Sequence, residues 1–307
     1  MRKIKLAFTD FWRNFNPKDN WFYRFLSAHF EIELSEEPDF LLYSSYGHQY
    51  LKYDCYRIFY TAENVRPNFL ECDFALSFDK IGRENHYRLP LYGIWDGLEP
   101  TDLISSKPNV EEILRKKNSF CCMLVSNDKA KDRIRFFHKL LEYKKVDSGG
   151  RFLNNIGAPV EDKFEFMEPY KFTIAFENSS HPGYVTEKVY QPMFKNTIPI
   201  YWGSSTINQD FNTKSFINWH DYKSDEAVIQ RIIELDQNDE LYLKMLSEPW
   251  FNDNRVNEFV DRENIKMFFE KIFENSEKPI AQTWKVNFGT LLRKGRNLKK
   301  KFSTRFR

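Results

Sequence analysis

Tyr184, Glu187 and Lys188, with Asn178 a little upstream, are the side chains here whose types and spacing suit work on a phosphorylated sugar. They fall in the run Phe172 to Ser205, FTIAFENSSHPGYVTEKVYQPMFKNTIPIYWGSS. Apolar periodicity and turn residues predict a strand over 172–176, a polar loop with Gly183, a helix starting over 184–188, and a strand over 198–202 ended by Gly203. A helix start offers unpaired N–H groups and the positive end of the macrodipole to an anion. Lys188 adds a mobile cation, and Tyr184 and Glu187 can hydrogen-bond sugar hydroxyls. The plainer alternative is that Thr186 or Asn178 merely caps the helix and that Glu187 and Lys188 are solvated first-turn residues.

Strand, loop, helix and strand together form the repeating unit of α/β nucleotide-binding domains, which hold ligands at the carboxyl ends of their strands. Further strands are expected over 4–8, 40–44, 57–61, 74–78 and 120–125, with helices over 21–30, 130–144, 226–235 and 257–275. That alternation predicts parallel, doubly wound sheets. The chain has 307 residues, enough for two cores. Pro192 falls late in the signature helix, where it should kink or end it.

The run through FENS, GYVTEK and TIPIYWGS closely resembles the signature of the α1,3-fucosyltransferases, glycosyltransferase family 10. A second stretch, RIFYTAENVRPNF over 57–69, followed by CDFALSFD and HYRLPLYG, is similar to the acceptor-side half of bacterial members. The resemblance implies the glycosyltransferase-B architecture: an acceptor domain over 1–115 and a GDP-fucose domain over 116–278, Rossmann-like and facing across a cleft, then a tail over 279–307. It implies inverting transfer of fucose from GDP-fucose to a 3-hydroxyl of N-acetylglucosamine or glucose in a lactosamine- or lactose-type glycan, such as a lipopolysaccharide O-chain.

The same resemblance implies that Glu63 is the general base and that Glu187 opposes positive charge developing on the sugar or meets the ribose. Lys188 would meet the diphosphate, and Asn178 and Tyr184 would line the donor pocket. Arg133, in KDRIRFFHKL, matches a phosphate-binding arginine, with Arg135 a close competitor. Without the resemblance, Glu63 reads as a structural partner of Arg57 or Arg66. A transferase for another GDP-deoxysugar, or a sugar-binding module without activity, are the rival readings; intact Glu63, Tyr184, Glu187 and Lys188 speak against the module.

Composition narrows the setting. No apolar run reaches the roughly 18 to 20 residues of a membrane span, and the start, MRKIKLAFTDFW, lacks a secretory h-region. Four cysteines without CxxC spacing suggest free thiols. A cytoplasmic protein is therefore expected. Neither an Asp-x-Asp nor a clustered set among the six histidines points to a metal, and no tightly bound cofactor is implied.

The net charge of +2 conceals nine basic and no acidic residues over 285–307, leaving −7 on the rest. Trp284, Phe288, Leu291, Leu292, Leu298, Phe302 and Phe306 recur there at helical spacing, which suits adsorption to an anionic bilayer. The acidic body and the lack of a recognition module make nucleic acid a poor partner.

Overall fold

A computed structural model describes residues 3–104, 107 and 109–284. The expected amphipathic tail lies outside the described residues from 285 onward. The described residues form two compact units, one within 3–89 together with 259–284 and the other within 90–258.

The first unit is a parallel six-stranded sheet of β1 (Lys3–Thr9), β2 (Glu31–Leu34), β3 (Phe40–Tyr43), β4 (Tyr56–Tyr60), β5 (Phe74–Ser77) and β6 (His86–Arg88), in the order β2-β1-β3-β4-β5-β6. Strands β3 and β5 are buried along their whole length, as parallel strands covered on both faces must be. Helix α1 (Trp21–His29) begins where Asn20, in extended conformation, accepts from the Tyr23 N–H at 2.9 Å. It buries Trp21, Phe22 and Leu26.

The second unit carries a parallel five-stranded sheet, order β11-β10-β9-β7-β8. Its elements in chain order are α2 (Val110–Lys116), β7 (Ser119–Met123), α3 (Lys131–Leu141), β8 (Val146–Ser148), α4 (Lys163–Met167), β9 (Tyr170–Phe176), α5 (Glu187–Met193), β10 (Ile198–Trp202), β11 (Ile217–Asn218), α6 (Asp225–Gln237) and α7 (Asp239–Ser247). Cys121 and Cys122 are fully buried free thiols in β7, and burial pushes the Cys122 thiol up to about 12. Buried Lys117 ties the entry ends of the central strands together. Its Nζ donates to the carbonyls of Glu168 and Lys195, both at 2.7 Å, and to Thr197 Oγ1 at 2.9 Å.

Two stretches depart from the division expected at 115/116. Residues 90–104 pack into the second unit: Tyr92 is fully buried, its ring 4.8 Å from that of Phe211 and its hydroxyl donating to Asp210 at 3.0 Å. Helix α8 (Arg262–Phe273) returns to the first unit. Its stripe of Ile265, Phe268, Phe269, Ile272 and Phe273 covers that sheet, with Phe273 4.9 Å from Phe40 and Phe269 6.4 Å from Phe22 between ring centres. Apolar periodicity shows that a helix has a buried face but not which sheet the face meets.

If α8 closes the first core, Phe269→Ala should destabilise that unit by ~3–5 kcal/mol. Urea denaturation would show this as a lowered midpoint, and a cost under ~1 kcal/mol would mean that the aromatic packing is not what holds the helix.

Candidate active site

The candidate residues of the second unit gather at the carboxyl end of β9. The chain leaves that strand through Glu177 and Asn178, while Arg133 approaches from α3 and Thr186 to Lys188 open α5. On α3 the residues Arg133, Phe136, Phe137 and Leu140 form the buried stripe, so Arg133 is 3% exposed despite its charge. Its guanidinium donates from Nε to the Phe176 carbonyl at 3.0 Å and from Nη2 to Asn178 Oδ1 at 2.9 Å. Burial draws its pKa down, against the pull of Glu177 and Glu187. Arg135, its competitor, faces away: it pairs with Asp132 at 2.6 Å and with Asp225 at 2.8 Å.

At the centre lies a residue to which the sequence reading gave no role. Glu177 is fully buried, and its carboxylate accepts from the Thr186 N–H at 2.8 Å and from the Thr186 hydroxyl at 2.8 to 2.9 Å. Lys188 Nζ stands 3.3 Å from Glu177 Oε2. The Thr186 hydroxyl has one proton to give; having given it to Glu177, it accepts from Lys188 Nζ at 3.0 Å. Burial raises the Glu177 pKa, with Lys188 pulling the other way. For Lys188 the attraction of Glu177 and Glu187 outweighs the burial that would lower it, and its pKa is raised. Removing one member of such a buried pair costs about 3–5 kcal/mol, because the other charge is left without compensation.

The glycine after β10 belongs to the same arrangement. Glu177 N donates to the Trp202 carbonyl at 2.8 Å, which brings Gly203 alongside the carboxylate side chain. A Cβ at Gly203 would stand 2.5 Å from Glu177 Cγ and 2.6 Å from the Tyr201 hydroxyl. Bonds from Ser180 at 2.6 Å and His220 at 3.1 Å fix the Gly203 carbonyl. The signal for Glu177 was a carboxylate placed directly after a five-residue apolar strand, FTIAF, with a glycine ending the next strand.

Three expectations need adjustment. The helix starts at Glu187, not Tyr184, because Thr186 is its N-cap. It is seven residues long and contains Pro192, so the charges of Lys188 and Arg133, not a long macrodipole, supply the positive potential. Glu187 and Lys188 are not simple solvated residues: their side chains are 18% and 23% exposed and lie 3.3 Å apart. Tyr184 is buried at 3% exposure, its carbonyl accepting from the Tyr201 hydroxyl at 3.4 Å.

In the first unit, Glu63 is exposed on the loop that follows the buried strand β4. The Tyr46 hydroxyl donates to Glu63 Oε1 at 2.8 Å, and Thr61 Oγ1 accepts from the Glu63 N–H at 3.0 Å. Partial burial, with the hydrogen bond to Glu63, raises the Tyr46 pKa, which keeps the phenol a donor. Both arginines of the structural alternative bond elsewhere: Arg66 with Asp79 at 3.0 Å, and Arg57 with the Tyr53 carbonyl at 2.9 Å. Asp10 fixes the Tyr46 loop by accepting from the N–H groups of Gln49 and Tyr50 at 2.9 and 2.8 Å. Its carboxylate lies where a Cβ at Gly47 would be, 2.1 Å away. Among the described residues no group of three or more His, Cys, Asp or Glu side chains is placed to hold a metal ion, and no helix is long and apolar enough to cross a membrane.

Residues 6–95 match the N-terminal domain of alpha-(1,3)-fucosyltransferase FucT, and residues 114–278 match the C-terminal domain of glycosyltransferase family 10 (fucosyltransferase). The Alpha-(1,3)-fucosyltransferase FucT of Helicobacter pylori is 31% identical over 89% of this chain and 66% of its own length. Alpha-(1,3)-fucosyltransferase B of Drosophila melanogaster is 39% identical over 30% of this chain and 20% of its own. The chain thus spans about two-thirds or less of these curated relatives. A crystal structure of alpha1,3-fucosyltransferase with GDP-fucose superposes with a TM-score of 0.75 at 30% identity, covering 90% of this chain and 92% of that one.

The packing at Gly203 predicts that Gly203→Ala displaces Glu177 and destabilises the protein by ~1–3 kcal/mol. Thermal or urea denaturation measures this; an unchanged midpoint would show that Glu177 is free to shift.

Proposed function

The chain belongs to glycosyltransferase family 10, and from that membership we propose that it transfers L-fucose from GDP-fucose to a glycan. The acceptor atom in this reading is a 3-hydroxyl of N-acetylglucosamine or glucose in a lactosamine- or lactose-type chain, and the product serves a bacterial surface glycan such as a lipopolysaccharide O-chain. The observation that carries it is the gathering of Arg133, Asn178, Glu187 and Lys188 at the carboxyl end of β9, where Arg133 bonds Asn178 and Lys188 stands between Glu187 and the buried carboxylate of Glu177. Ligand sites of doubly wound sheets lie at such strand ends. The basic, helically patterned sequence of 285–307 supports peripheral contact with an anionic membrane.

The reaction is a single displacement. Glu63 takes the proton of the acceptor hydroxyl as its oxygen bonds to the fucose anomeric carbon. The bond from that carbon to the β-phosphate oxygen breaks, and GDP leaves with the electron pair. Attack from the face opposite the leaving group turns a β-linked donor into an α-linked product. Positive charge on the ring meets the Glu187 carboxylate, while Lys188 and Arg133 neutralise charge on the departing diphosphate. Metal ions are not needed for this assignment of roles.

Release of GDP from GDP-fucose, with and without N-acetyllactosamine or lactose, tests the reading. Glu63→Gln should lower acceptor-stimulated release about 100- to 10,000-fold, the usual worth of a general base, while calorimetry shows GDP binding unchanged. Lys188→Ala should raise the donor KM by about tenfold or more through loss of a charge-assisted hydrogen bond. No binding of GDP by the intact protein would refute the donor assignment; binding without turnover on either acceptor would refute the acceptor assignment.

A further inference from the structure

Lys188 has three protons and three acceptors within the protein: Thr186 Oγ1 at 3.0 Å, Glu177 Oε2 at 3.3 Å and Glu187 Oε1 at 3.3 Å. Two of these, Thr186 and Glu177, are buried, and the third, Glu187, is partly exposed. A phosphate oxygen reaching Lys188 therefore exchanges with Glu187, because displacing either buried partner would leave a polar group unpaired in a dry site. Glu177 has no exposed surface with which to touch a ligand. Its oxygens instead take the Thr186 N–H and hydroxyl and attract the Lys188 ammonium.

We propose that Glu177 is a positioning residue for diphosphate binding: through Thr186 it fixes where the Lys188 ammonium stands, and it compensates that charge in a buried site. The role rests on the donor-site reading above. The charged groups facing Lys188 are Glu177 after β9, Glu187 on α5 itself and Arg133 on α3. Tyr201 of β10 faces Glu177, and Tyr184 faces Arg133. Arg133 opposes the charge on Lys188, so without Glu177 only Glu187 would offset both that repulsion and burial. The same carboxylate that the phosphate must displace would then be the last one holding Lys188 protonated. Loss of the buried carboxylate should consequently weaken GDP and make its binding pH-sensitive.

The experiment is calorimetric titration of GDP into the full chain across a pH series, with donor and acceptor KM measured alongside, for wild type, Glu177→Gln and Thr186→Val. Glutamine keeps the shape and an acceptor for the Thr186 N–H but presents an amide to Lys188. The expected result for Glu177→Gln is at least a tenfold loss of GDP affinity at unchanged stoichiometry and a raised donor KM with the acceptor KM unmoved. Affinity should also fall more steeply with rising pH than in wild type, since Lys188 then deprotonates more easily. Thr186→Val should shift GDP affinity in the same direction by a smaller factor. Reduced stoichiometry with unchanged affinity and pH profile would mean a purely structural residue and overturn the role. If Glu177→Gln does not fold, Thr186→Val decides, and wild-type GDP affinity in it overturns the proposal. Wild-type protein that binds no GDP would instead overturn the donor-site reading beneath it.

Discussion

A carboxylate with no exposed surface must be answered by donors, and in the second unit the side chain of Glu177 sets the position of nearly everything around it. Thr186 answers with an N–H and a hydroxyl, which makes Thr186 the cap and fixes where α5 can begin. Lys188 answers with charge, which draws a flexible four-carbon side chain into one place. Gly203 answers by having no side chain at all, since any other residue there would meet the Glu177 Cγ. The glutamate of FENS, the threonine and lysine of TEK and the glycine of YWGS are thus a single packed object, which explains why residues so far apart in the chain form one signature.

Such an arrangement supports electrostatic work. Arg133, Lys188, Glu177 and Glu187 place two cations and two anions together, with Arg133 and Glu177 buried and the other two only partly exposed. Interactions among charges strengthen as solvent is excluded, and preorganised groups need not reorient when a ligand's charge arrives. The balance also restrains the site: two uncompensated cations in that volume would repel each other and lose protons or burial. Arg133 is held by the Phe176 carbonyl, so strand β9 itself carries one cation and, one residue later, the anion that compensates the other.

The first unit uses the same device in a more open setting. Asp10, in a left-handed conformation at φ 58°, holds the loop after β3 by its backbone N–H groups and excludes any side chain from Gly47. That loop carries Tyr46, whose hydroxyl reaches Glu63 on the loop after β4. Strands β1, β3 and β4 are neighbours in the sheet, so loops far apart in sequence emerge side by side at their carboxyl ends. A rigid parallel core with polar loops at one edge lets these groups be set by packing below and hydrogen bonds above.

Much of this was legible in residues alone. Apolar runs such as FLLY, FALS and FTIAF carry their burial in their composition, and the punctuation of Thr186, Pro192 and Gly203 bounds α5 and β10 to within a few residues. The types needed for chemistry, a carboxylate in YTAEN and an acid and base in TEK, were likewise visible with their spacing. Three things were not, and each depends on contacts between distant segments. Only the fold decided that α8 covers the first sheet, because an amphipathic stripe does not name its partner. Only the fold separated Arg133 from Arg135, since two positions along a helix is a turn of about 200°, enough to send one to the Phe176 carbonyl and the other to Asp225. And only the register of β9 against β10 placed Gly203 beside Glu177, turning an unremarked glutamate into the residue around which the site is packed.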